Sequence, residues 1–125
     1  MRCAGRLGCC ADRRRDRTGA LAASAHVEVA VGAVPGDWPG GTFDLVVLSE
    51  IGYYFELDEL HRLAARAAAS LDPGGTPIAT HWLGESADHV LHGDEVHAAL
   101  AETPDLKHEG AFRDVGFRVD WWTRQ

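Results

Sequence analysis

With 125 residues, 46% hydrophobic and 25% charged, the chain has the length and composition of one soluble globular domain rather than two. No run approaches the roughly 18 to 20 uncharged apolar residues that a membrane-spanning helix needs, the longest apolar stretch being Leu45 to Leu48. The formal charge of −7 is unevenly placed, since residues 1–18 hold six arginines against Asp12 and Asp16 and the rest carries −11, a body too acidic to invite a phosphate backbone.

The basic lead has no aromatic residue to stack on bases, so a solvated tail is expected and no nucleic-acid partner. Arg13, Arg14, Arg15 and Arg17 stand where a signal peptide would be apolar. Cys3, Cys9 and Cys10 are too crowded for a disulfide framework and read as reduced thiols, which places the chain in the cytoplasm. Residues 1–25 form an irregular segment poor in large apolar residues, with a turn or two of helix over Ala20–Ala25, and the folded domain spans 26–125.

His26–Val31 alternates valines with other residues and predicts a strand ended by Gly32. Two prolines and three glycines make 35–41 a loop. Phe43–Ser49 is a continuous apolar run of the kind covered on both faces, which predicts a strand at the centre of a parallel sheet. A helix follows over Asp58–Leu71, with Leu60, Leu63, Ala64, Ala67 and Leu71 on one face, Asp58 as N-cap and Asp72-Pro73-Gly74-Gly75 as its stop. Next come a strand over Thr76–Trp82, a histidine-bearing loop, and a helix over Asp94–Ala101 burying Val96, Ala99 and Leu100. Two final strands, Leu106–Phe112 and Phe117–Trp122, pair as a hairpin at a sheet edge. The order predicts an α/β fold, the second half of a doubly wound sheet.

Ligands bind outside the carboxyl ends of strands in such sheets, which selects Gly32 to Val34, Ser49 to Tyr54, and His81 with Trp82. In Ser49-Glu50-Ile51-Gly52-Tyr53-Tyr54-Phe55 a hydroxyl, a carboxylate, a glycine and two phenols leave one strand together, a set suited to a flat or cationic ligand. The competing reading is that Tyr53, Tyr54 and Phe55 pack under a loop. A metal site from His89, His92, Asp94 and His97 is a rival, although no tight spacing fixes them on one face, and no metal is expected. A nicotinamide-dependent oxidoreductase would need a dinucleotide fingerprint that the chain lacks.

The segments Gly32-Ala33-Val34-Pro35-Gly36-Asp37-Trp38-Pro39, Phe43 to Glu50, and Leu71-Asp72-Pro73-Gly74-Gly75-Thr76 together resemble class I S-adenosylmethionine-dependent methyltransferases. Within them, Ser49 to Phe55, His81-Trp82 and Gly93-Asp94-Glu95-Val96-His97 look like the nodulation protein S group, whose namesake N-methylates a deacetylated chitooligosaccharide. The resemblance covers about residues 26–125 and implies the C-terminal portion of a Rossmann-like seven-stranded sheet ending in an antiparallel hairpin. It implies S-adenosylmethionine as cofactor, with Gly32, Ala33 and Val34 beside the adenine and Ser49 and Glu50 at the methionine end. Tyr53, Tyr54 and Trp82 would line the pocket of a small-molecule amine acceptor.

Glu50 or His81 would take the amine's proton, a histidine being the better-matched base, while the alternative for His81 is a strand-end residue bonded to a backbone carbonyl. Ala33 stands where many relatives carry an acidic residue. The family's glycine-rich cofactor loop and its ribose-binding acid have no counterpart before His26. The expectation is an N-terminally truncated or frame-disrupted chain, in which residues 1 to about 19 are not native to the fold. Such a chain is either a methyltransferase, inactive as this fragment or not, or a non-catalytic remnant or interaction module. A half sheet would leave an edge open to self-association.

Overall fold

The computed structural model describes residues 26–125, so the expectations for the three cysteines, the basic lead and the Ala20–Ala25 turn lie outside the described residues. The chain divides into two compact units, Met1–Pro39 and Gly40–Gln125. In the first, the described stretch 26–33 is irregular and contains no strand, against the expectation for His26–Val31. Alternation prepares two faces, but a strand exists only where another completes its ladder, and among the described residues no such ladder forms. A turn follows at 34–37, closed by the Asp37 N–H donating to the Ala33 carbonyl at 2.8 Å and by the Asp37 carboxylate accepting the Ala33 N–H at 3.0 Å.

The second unit is a mixed four-stranded sheet with two helices. Its strands are β1 (Phe43–Ser49), β2 (Leu71–Trp82), β3 (Leu106–Arg113) and β4 (Phe117–Arg124), in the order β1-β2-β4-β3. β1 runs parallel to β2, while β4 is antiparallel to both β2 and β3. The final hairpin therefore lies at the sheet edge as expected.

Helix α1 (Leu57–Ala69) connects β1 to β2 and buries Leu60, Leu63, Ala64, Ala67 and Ala68. It begins at Glu56 rather than Asp58, and the Ser70 hydroxyl closes it by donating to the Ala67 carbonyl at 2.8 Å. The Asp-Pro-Gly-Gly stretch is a bulge inside β2, because the pairing jumps from Phe43↔Leu71 to Leu45↔Thr76. Gly74, at φ +85°, supplies the left-handed residue that this bulge contains. Helix α2 (Gly93–Ala101) buries Val96, Ala99 and Leu100, and also His97. His92 is its N-cap: Nδ1 accepts the Asp94 N–H at 3.2 Å, and Glu95 accepts the His92 N–H at 3.0 Å, a reciprocal capping box.

Leu48, Ala79 and Trp122 meet Ala64, Ala67 and Leu100 between the sheet and its helices. Leu60, Leu63 and Val96 are wholly buried, each worth about 1.5–3 kcal/mol of transfer free energy. The opposite face carries Val47, Ile78 and Trp121 in one row, Phe112 beside Val119 in the next, and Phe117 beside Trp82 in the one after.

Here the expectation for β1 fails. Among the described residues β1 is the outer strand of its sheet, and Leu45 and Val47 remain 52% and 53% exposed. An apolar run prepares a strand for cover on both faces, but the cover is another element's contribution.

Candidate functional site

Ser49, Glu50, Tyr53, Tyr54, His81 and Trp82 converge where the parallel strands β1 and β2 end. Gly32, Ala33 and Val34 belong to the other compact unit. Ala33 spends both its backbone polar groups on Asp37.

Glu50 leaves β1 at φ +55°, a left-handed conformation that costs a non-glycine residue about 1–2 kcal/mol. Two bonds hold it there: its N–H donates to the Thr80 carbonyl at 3.0 Å, and its Oε1 accepts the Trp82 N–H at 2.8 Å. The side chain thus lies across the ends of both strands. Desolvation raises the carboxyl above its ordinary value, opposed by the Trp82 N–H and by the nearby His89.

The next three residues, Gly52–Tyr54, form a single 3-10 turn. It turns Tyr53 and Phe55 inward, at 2% and 3% exposure, and leaves Tyr54 half-buried. Tyr53 therefore does not line an open acceptor pocket as expected. Its ring is stacked at 3.8 Å under His89, and its carbonyl accepts the Val90 and Leu91 N–H groups at 2.7 and 3.1 Å. The loop reading describes Tyr53, which lies under 83–92.

His81 also departs from its expected part. It is fully buried, Nε2 accepts the Gly52 N–H at 2.9 Å, and Nδ1 lies 3.0 Å from His97 Nε2. Burial, reinforced by His97 and His89, pushes its pKa down to about 3. With both nitrogens engaged inside the protein, no lone pair remains for a substrate proton. β-strand alternation explains the outcome: His81 points toward the helices and Trp82 to the other face.

Trp82 is 43% exposed, and its indole covers Gly84, where any Cβ would overlap the ring. His89 meets Trp82 edge-on at 6.0 Å and Tyr54 at 5.2 Å, and its buried Nδ1 has no hydrogen-bond partner among the described residues. Glu50, Tyr54, Trp82 and His89 thus frame the strand ends. His89 was legible only as a member of a histidine-rich loop, because its place depends on how 83–92 folds back over Tyr53.

The four side chains of the rival metal site diverge. His89 stacks on Tyr53, His92 caps α2 and donates to the Leu83 carbonyl at 2.8 Å, Asp94 pairs with Arg113 and Arg118, and His97 bonds to Asp120. Among the described residues, no three potential ligands gather.

No family model and no curated protein matches the sequence. Among solved structures, one from Pseudomonas syringae assigned as a methyltransferase is 33% identical, with TM-score 0.77 over 98% of this chain and 72% of that one. The chain belongs to the methyltransferase family. Its sheet is the C-terminal part of the methyltransferase fold, and the fold recurs at low identity in enzymes of different acceptor chemistry. The N-methyltransferase NodS from Bradyrhizobium japonicum WM9 is 15% identical, with TM-score 0.73 over 98% of this chain and 72% of that one. A structure of that enzyme in complex with S-adenosyl-L-homocysteine has TM-score 0.70, also at 15% identity, over 98% of this chain and 65% of its own. An O-methyltransferase family protein from Burkholderia thailandensis is 16% identical, with TM-score 0.74 over 99% of this chain and 43% of that one.

Proposed function

We propose that the strand-end site transfers a methyl group from S-adenosylmethionine to the amine of a small-molecule acceptor, a saccharide amine of the kind taken by the nodulation protein S group being the favoured class. The observation that carries this reading is Glu50, held in a strained conformation at the end of β1 with a raised carboxyl pKa and one oxygen, Oε2, without a partner among the described residues. A carboxylate at strand ends that also carry Tyr54 and Trp82 suits a sulfonium, a cation with no hydrogen to donate. Ser49, at the end of the same strand, takes the methionine end of the cofactor in this reading. When bound, S-adenosylmethionine supplies an electrophilic methyl group on sulfur.

The chain's own contribution is alignment and proton removal. Glu50 takes the proton that the amine loses as its nitrogen gains the methyl group, and its raised pKa brings it closer to the acceptor's. Tyr54 and Trp82 bound the acceptor, and His89, with an unsatisfied Nδ1, orients it. In this reading Glu50 is the base and His81 a positioning residue.

One observation favours the non-catalytic alternative, an interaction module: the apolar sheet face bearing Leu45, Val47, Phe112 and Phe117 lies open among the described residues. Calorimetric titration of the chain with S-adenosylhomocysteine separates the readings. Micromolar binding, followed by transfer of labelled methyl to a glucosamine oligomer but not to its N-acetylated form, supports N-methylation. Absence of heat favours the module.

A further inference from the structure

A continuous chain of polar side chains runs from the surface of β3 through the core to the site. His108 Nε2 lies 2.8 Å from Asp120 Oδ1, Asp120 Oδ2 lies 2.5 Å from His97 Nδ1, His97 Nε2 lies 3.0 Å from His81 Nδ1, and His81 Nε2 accepts the Gly52 N–H at 2.9 Å. His81, His97 and Asp120 are at most 2% exposed. Buried groups of this kind are retained only when every member is satisfied.

The bonding permits one arrangement of protons. The Gly52 N–H can only donate, so His81 Nε2 is a lone pair and its proton sits on Nδ1. That proton is given to His97 Nε2, which leaves His97 protonated on Nδ1 and donating to Asp120. Asp120 accepts from three directions, since Arg118 Nε also donates to Oδ2 at 2.7 Å. Arg118 is in turn shared with Asp94 at 3.0 Å, and Arg113 grips that carboxylate with two bonds of 2.7 and 3.0 Å. The guanidinium and the two histidines hold Asp120 below the usual carboxylate range against a burial effect that would raise it. An ionised Asp120 is therefore the fixed acceptor that sets both ring tautomers.

We propose that His97 and Asp120 are positioning residues for the strand-end site. By fixing the tautomer of His81 they hold the Gly52 amide, and with it the strained turn that presents Glu50 and Tyr54. The Ile51 N–H also points at His81 Nε2, at 3.4 Å, and a Cβ at Gly52 would run into the Val96 side chain and lie 3.1 Å from that nitrogen. The backbone approaches the ring closely only because residue 52 is glycine. The inference refines the proposed site but is read without any ligand, so it stands or falls apart from methyl transfer.

The test is nitrogen-15 NMR of the histidine rings and amide exchange on the full chain. The groups facing the His81 and His97 rings are Tyr53, Asp120 and each other, with His89, Arg118 and Asp94 beyond. The wild type is expected to show His81 and His97 both as Nδ1–H tautomers, with His81 untitrated between pH 5 and 8. His97→Gln, which can still accept from His81 and donate to Asp120, should retain slow exchange at Gly52. His97→Leu should speed exchange at Ile51 and Gly52 at least tenfold while amides of β3 and β4 stay within twofold. A His81 carrying its proton on Nε2, or titrating near 6.5 in the wild type, overturns the proposal whether or not the variants fold. So does uniform acceleration in His97→Leu, which is the signature of a merely structural role.

Discussion

At the scale of single residues, the proposed reaction divides between Glu50 and His81 two roles that composition alone left shared. Glu50 is reachable and must be ionised to take a proton, so its raised pKa places the acid limb of activity above the ordinary glutamate value, with rate rising as pH climbs through it. Glu50→Gln should lower kcat by about 100-fold or more in a labelled-methyl assay, the usual scale for loss of a general base, and should abolish that limb. Burial, first among the causes, makes His81 and His97 harder to protonate in the folded state than in the unfolded chain. Between the unfolded value near 6.5 and the folded value of about 3 for His81, the unfolded state binds the extra proton, so stability falls as pH falls through that window. The slope should reach about 1.4 kcal/mol per pH unit for His81, measurable by urea titration at pH 7, 6 and 5. Asp120, held low, adds its own loss only below the ordinary aspartate range, so the two contributions are separable by pH.

At the scale of elements, the 3-10 turn Gly52–Tyr54 is where packing and function meet. Gly52→Ala should push the turn off Val96 and His81 and cost about 1–3 kcal/mol, the range for overpacking a filled core, read as a lower urea midpoint with an unchanged slope. The helices and the final hairpin were legible because their signals are local: apolar residues three and four apart in α1 and α2, and a strand pair around Val115-Gly116. Caps were less legible. His92 caps α2 with a ring nitrogen, a part that Ser, Thr, Asp or Asn more often takes. The stretch Asp72–Gly75 has the composition of a stop, and it does follow α1, yet the chain resumes pairing on both sides of it.

At the scale of the whole molecule, the described sheet carries both helices on one face and bares an apolar row on the other. With β1 at the edge of that sheet, Leu45 and Val47 exposed, and a net charge of only −7 to oppose contact, the chain should self-associate as its concentration rises. Sedimentation velocity across a hundredfold range of concentration should show this, and Leu45→Lys with Val47→Glu should suppress it without lowering helix content. A single species at all concentrations would mean that the face is already covered.

From Phe43 onward the element types, and the methyltransferase resemblance, could be read from the order of residues alone, because periodicity and glycine content are properties of short segments. Tertiary contacts were needed to show that β1 lies outermost among the described strands, that His26–Val31 forms no strand there, that Tyr53 is sealed under His89, and that His81 faces inward to His97. Burial and tautomer are set by whichever neighbour arrives from a distant part of the chain, and no local pattern records that neighbour.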